Sequence, residues 1–139
     1  MIRNLQKWNL QPADRIVVPK SILRMVQHYD IYLGKDEYRT DWIAENKIGK
    51  GVHIVTASDF FSDVIEITRV EPFRGNQYQR KKAVQFAMSL EGRNYDLLEL
   101  NCEHYANVVQ HKLPIRHQAK TGIGLGVLGL FVGLIFIND

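Results

Sequence analysis

Met25-Val-Gln-His-Tyr-Asp-Ile-Tyr-Leu-Gly34 carries the decisive pattern. In an extended chain Tyr29, Ile31 and Leu33 fall on one face, and His28, Asp30 and Tyr32 on the other. That period of two marks a strand, and Gly34 ends it. Upstream, Arg15-Ile-Val-Val-Pro19 is a short β-rich run closed by proline. Downstream, Gly51-Val-His-Ile-Val-Thr56 predicts a third strand, with His53 and Val55 on one face. Asp63-Val-Ile-Glu-Ile-Thr-Arg-Val70 predicts a fourth, ending before Pro72. Residues 35–50 are polar and charged without a sustained period, so a loop is expected there, with a helical turn near Trp42.

The period then changes. Between Asn76 and Leu90, Ala83, Ala87 and Leu90 recur at helical spacing, Arg80, Lys81 and Lys82 point toward the exposed side, and Gly92 supplies a stop signal. A second helix is expected from Asn101 to Leu113, with Cys102, Ala106, Val109 and Leu113 on one face and Pro114 ending it. Strands followed by helices predict an α+β domain.

The chain has 139 residues, 45% hydrophobic and 24% charged, which suits one folded domain and argues against wholesale disorder. A single cysteine excludes an intramolecular disulfide and paired-cysteine zinc sites. The net charge of +3 is too small to imply a nucleic-acid partner, and the basic residues belong to one helix face and a short joint.

From Thr121 to Ile137 the chain reads TGIGLGVLGLFVGLIFI, with no charge. The expected organisation is a folded domain over residues 1–113, a basic joint at 114–120 and a transmembrane tail at 121–137. As a helix those 17 residues reach roughly 25 Å, slightly short of a hydrocarbon core of about 30 Å. Snorkelling by Lys120 and local thinning would cover the difference. Lys112, Arg116, His117 and Lys120 precede the tail, and only Asn138 and Asp139 follow it. The positive-inside rule therefore predicts a single-pass C-terminal anchor with the domain on the cytoplasmic side, a reducing setting that suits a free thiol. No secretory signal is visible at the N-terminus. Gly122/Gly126 and Gly129/Gly133 are spaced for close packing of two tails, so self-association is a further expectation.

Cys102 falls in the first turn of the second predicted helix, where unpaired N–H groups and the helix dipole stabilise a thiolate and would receive an oxyanion. The position fits a nucleophile, and it fits a small buried hydrophobe, the usual fate of a free cysteine. A nucleophile needs a base, and histidine titrates closest to neutral pH. His28 and His53 lie on separate predicted strands that would reach one site if they were neighbours; otherwise each is a hydrogen-bonded residue on a half-buried strand. His104 and His111 read as surface residues and His117 as part of the joint. No metal or cofactor is expected, because one cysteine and scattered histidines match no common ligand spacing.

Three blocks carry a family resemblance. Asp14-Arg-Ile-Val-Val resembles the opening strand of the lecithin retinol acyltransferase-like family, His28-Tyr-Asp-Ile-Tyr-Leu-Gly34 resembles its H-x-x-I-Y-x-G strand, and Asn94-Tyr-Asp-Leu-Leu98 with Asn101-Cys-Glu-His-Tyr105 resembles its Y-x-L-L-x-x-N-C-E-H-F block. The resemblance spans about residues 12–113, and the apolar tail is similar to the C-terminal anchors of several members. It implies a circularly permuted papain-like, NlpC-type fold, with a small antiparallel sheet beside helices. It also implies Cys102 as nucleophile, His28 as the histidine that activates it, and His53 as a second histidine orienting the first. The implied activity is that of the phospholipase/acyltransferase members: a phospholipid acylates the thiol, and water, an amine or an alcohol takes the acyl group. The partners so implied are a phospholipid acyl donor and the bilayer. This chain departs from the pattern at Ala13, which stands for a glycine, at Tyr105, which stands for phenylalanine, and in a longer segment between His28 and His53. Two other readings use the same residues differently: a papain-like peptidase or amidase, and a non-catalytic membrane-tethered interaction or remodelling module that would survive loss of Cys102 but not of its tail.

Overall fold

The computed structural model describes residues 2–19, 27–62, 64, 66–96 and 101–111; the expected joint and tail lie outside them. Among the described residues no helix is long and apolar enough to cross a membrane. The elements in chain order are α1 (Ile2–Trp8), β1 (Arg15–Pro19), β2 (Gln27–Lys35), β3 (Asp41–Lys47), β4 (Gly51–Thr56), α2 (Ala57–Phe60), β5 (Arg69–Glu71), α3 (Gln77–Ser89) and α4 (Cys102–His111). The domain is α+β, with five antiparallel strands in the order β4-β3-β2-β1-β5.

The strand alternation sorts the apolar side chains onto two faces. Ile31, Leu33, Ala44 and Val52 pack with Ala83, Val84, Ala87 and Met88 of α3 and with Tyr105, Ala106 and Val109 of α4. On the opposite face Ile16, Val18, Tyr32 and Ile43 pack with Ala57, Phe60 and Phe61, and Leu5 and Trp8 of α1 lean on that cluster. Each fully buried branched side chain is worth about 1.5–3 kcal/mol, so β2, buried on both faces, is the centre of the fold.

Three expectations are corrected. Residues 35–50 are not a loop, because they hold β3. Its Ile43-Ala44-Glu45-Asn46 run is buried throughout, and the buried polar pair Glu45 and Asn46 hid the strand pattern. The fourth expected strand shrinks to Arg69–Glu71, preceded by the one-turn α2, which Thr56 caps by accepting the Asp59 N–H. Arg80 does not face solvent: it donates to Asp14 Oδ1 at 2.8 Å and to the Pro12 and Phe73 carbonyls. Asp14 also accepts the Gln11 and Phe73 amides, so one buried carboxylate ties β1, β5 and α3 together.

Ala13, Tyr105 and the long segment after His28 each have a local structural answer. Ala13 is fully buried at φ 76°, a left-handed conformation in which glycine is the usual choice. The Tyr105 hydroxyl donates to the Ala87 carbonyl at 3.0 Å, which satisfies the polar atom that phenylalanine lacks. The long segment after His28 is occupied by β3.

Where β4 begins, the chain after α3 comes close: Val52 N–H donates to the Arg93 carbonyl and Gly92 N–H to the Val52 carbonyl, both at 2.8 Å. Gly51 lies at φ 71°, and a Cβ there would collide with the Arg93 carbonyl oxygen. Gly49, at φ 82°, has open space around it. Gly51→Ala is therefore expected to destabilise the fold by about 2 kcal/mol or more, combining backbone strain with a backbone clash. Gly49→Ala should cost only the strain, about 1 kcal/mol. Urea unfolding of the two variants checks the difference.

Candidate active site

Cys102 is the first residue of α4 and is buried. Asn101 caps the helix, accepting the His104 N–H on its side chain at 2.8 Å and the Tyr105 N–H on its carbonyl at 2.9 Å. The amides of Cys102 and Glu103 belong to the turn whose N–H groups have no intrahelical acceptor. Pairing between β2 and β3 runs only from Ile31↔Ala44 to Lys35↔Asp41. Tyr29 lies beyond that ladder, and its N–H donates to the Cys102 sulphur.

The neighbouring residue of β2, His28, is buried and interacts with the same sulphur. Its Nε2 lies 2.8 Å from Asp30 Oδ1 and 3.9 Å from Glu45 Oε2. The shorter approach is off the line of a hydrogen bond, so charge holds the pair. Asp30 reaches the ring because residues two apart on a strand share a face. Glu45 arrives from β3, where it pairs with His53 of β4.

Burial alone would push the His28 ring down, but the Asp30 carboxylate and then the Cys102 sulphur outweigh it and raise the ring to about 10. Burial raises the Asp30 carboxyl, and the His28 charge holds that rise to about 6. For Cys102, burial is overcome by His28 and the Tyr29 N–H, and the thiol is lowered. Between about pH 6 and about 10 the pair is therefore an imidazolium and a carboxylate, beside a thiol held below its ordinary value. Tyr95 is raised, by burial and then by the nearby Cys102 charge, so its hydroxyl keeps its proton beside the sulphur.

The structure brings Cys102 and His28 together, as expected. His53 is placed differently, because β3 separates β4 from β2 and the two strands are not neighbours. Its Nδ1–H donates to the Gly51 carbonyl at 3.0 Å, and its Nε2 lies 3.6 Å from Glu45 Oε1. Glu45 thus stands between the two histidines, with Lys47 Nζ 3.3 Å from its Oε2. Asp30 and Glu45 were missed in the sequence. Asp30 was legible, being two residues from His28 on one face, whereas Glu45 was hidden in the segment taken for a loop. His28, Asp30 and Glu45 also offer three buried ligand atoms within 4.8 Å of one another, the one such metal-sized group among the described residues. A cavity of about 500 Å³ lined by Val70, Glu71, Arg74 and His111 lies at the far end of α4 and is separate from Cys102.

The titration has two expected outcomes. Alkylation of Cys102 should set in at lower pH than that of an ordinary thiol, and should fall as Asp30 and the thiolate take up protons on the acid side. Above the unfolded thiol value of 9.0, Cys102 has lost its proton in both states. His28, raised from 6.5 to about 10, then holds a proton only in the folded state. A raised folded value contributes stability that is lost as pH rises through it, so stability should fall from pH 9 through about 10. Urea midpoints across that window should drop more steeply for the native chain than for Asp30→Asn.

The chain matches no known family profile, no curated protein and no solved structure.

Proposed function

We propose that the protein is a thiol-dependent acyltransferase or acyl hydrolase acting on glycerophospholipids through an acyl-cysteine intermediate. The carrying observation is the Cys102 thiol at the start of α4, lowered by the His28 imidazolium that Asp30 holds. The histidine precedes the cysteine in the chain, the order of a permuted papain-like, NlpC-type arrangement, and the three resembling sequence blocks agree with it. The uncharged segment at 121–137 acts as the anchor that keeps the domain at the cytoplasmic face of its lipid substrate.

In this mechanism the Cys102 thiolate attacks the ester carbonyl and a carbon–sulphur bond forms. The oxyanion of the tetrahedral intermediate is received at the first turn of α4. Collapse breaks the ester carbon–oxygen bond, and His28 gives its proton to the departing lysolipid oxygen. His28, now neutral, takes a proton from water, an amine or an alcohol as that nucleophile attacks the thioester, and the thiolate is released. Asp30 positions the ring and stabilises its charged form; Glu45, rather than His53, is the residue of the neighbouring strand that stands beside it.

The test is lipid analysis after full-length protein is incubated with mixed phospholipid vesicles. The proposal expects lysophospholipid, with free fatty acid or an acylated acceptor, and no product from Cys102→Ala or His28→Asn. Cleavage of amide substrates without lipid turnover would replace it with the peptidase reading. Absence of both reactions would overturn the enzymatic reading in favour of a membrane-tethered module, whose function would survive Cys102→Ala but not deletion of 121–137.

A further inference from the structure

The surroundings of His28 hold more buried polar atoms than one ion pair uses. The side chains of His28, Asp30 and Glu45 are 7%, 0% and 3% exposed. Both ring nitrogens of His28, both Asp30 oxygens and Glu45 Oε2 are buried with no partner in hydrogen-bond geometry. Buried polar atoms are ordinarily satisfied, and one atom from each of the three residues lies within 4.8 Å of the others, so the group marks a place for something that binds them. The separations fit an ion: Nε2 is 2.8 Å from Asp30 Oδ1 and 3.9 Å from Glu45 Oε2. Ligands about 2.0–2.2 Å from a tetrahedral metal lie at comparable distances from one another.

We infer that His28, Asp30 and Glu45 form a binding site for a divalent ion of the zinc class, and that its occupancy switches the thiol off. One imidazole and two carboxylates suit zinc better than calcium or magnesium, which favour all-oxygen shells. Lys47, which contacts Glu45 Oε2 at 3.3 Å with a side chain 36% exposed, has solvent to swing into when the ion arrives. The ion needs the Nε2 lone pair, so a ring bound to it cannot carry a proton at that nitrogen. A ring held in that form cannot cycle between its charged and neutral states, as the proton transfers of acyl transfer require. Binding rests on the geometry alone, and only the inhibition rests on the catalytic reading.

The experiment separates the two. Zinc is titrated calorimetrically into full-chain Cys102→Ala protein, which keeps the three ligands and lacks the nucleophile, and cobalt is followed by its visible absorption. One ion per chain is expected, with affinity reduced at least about tenfold by Glu45→Gln and by Asp30→Asn in the same background. Circular dichroism verifies that these near-isosteric variants remain folded. In the native chain zinc should suppress Cys102 alkylation and lipid turnover, with recovery on chelation. Affinity weaker than about 100 μM, or affinity unchanged by both substitutions, would overturn the site. One-to-one binding without lipid turnover in the native chain would leave the site standing and defeat the acyl-transfer reading instead.

Discussion

Cys102→Ala is expected to reduce lipid turnover at least about 10⁴-fold while leaving the fold intact. The effect is large because covalent chemistry has no substitute at this position: Cys102 is the chain's single cysteine, and no other thiol is available. Folding should be spared because the side chain is small and sits at the first turn of α4, where Asn101 supplies the cap. The rest of the helix is held by Tyr105, Ala106 and Val109 in the core. Cys102→Ser is the sharper control. Its hydroxyl keeps the volume and the hydrogen-bonding capacity, but its proton is far harder to remove, so turnover should fall nearly as far. Steady-state release of fatty acid or lysolipid, with circular dichroism on both variants, checks the pair. Unchanged turnover in Cys102→Ala would remove the thiol from the mechanism.

Asp30→Asn should lower turnover by about 10²-fold or more at neutral pH, by a different route. The substitution keeps shape and removes one negative charge from a fully buried position 2.8 Å from His28 Nε2. Burial already disfavours the imidazolium, and without Asp30 that penalty is no longer outweighed. The ring then becomes neutral at a lower pH, the thiolate loses its counter-charge, and the thiol rises toward its ordinary value. The alkylation profile of Cys102 should therefore move to higher pH, which a merely structural role for Asp30 would not produce. Alkylation at pH 6 to 10, with turnover at the same points, checks both parts. Asp30→Glu should recover part of the activity, since the charge returns with a longer reach.

How far the sequence led is best seen residue by residue. The β2 alternation predicted a strand and put His28 and Asp30 on one face, and the structure keeps them there. The α3 and α4 spacings predicted which residues turn inward, and Ala83, Ala87, Ala106 and Val109 do so. Hydrophobic periodicity succeeds where apolar groups decide the packing. It failed at β3, because Glu45 and Asn46 are polar yet nearly fully buried, and a strand with buried polar side chains shows no apolar alternation. That failure propagated into the site. Without β3, β2 and β4 read as possible neighbours that would bring His53 to the site of His28, whereas the carboxylate of Glu45 lies between the two histidines. A local rule was broken at the candidate site, which is where such breaks are expected. Arg80 was misplaced for a related reason: a charged residue reads as exposed unless its buried partner, Asp14, is known to lie opposite.

The central claim is that the His28–Asp30 pair holds Cys102 as a nucleophile that phospholipid acylates. The most direct measurement is the intact mass of full-length protein after incubation with mixed phospholipid vesicles, for the native chain, Cys102→Ala and His28→Asn. The account predicts an acyl-sized adduct on the native chain that hydroxylamine removes, absent from Cys102→Ala and slow to form on His28→Asn. No adduct together with no lipid turnover, or an adduct that persists in Cys102→Ala, would contradict it.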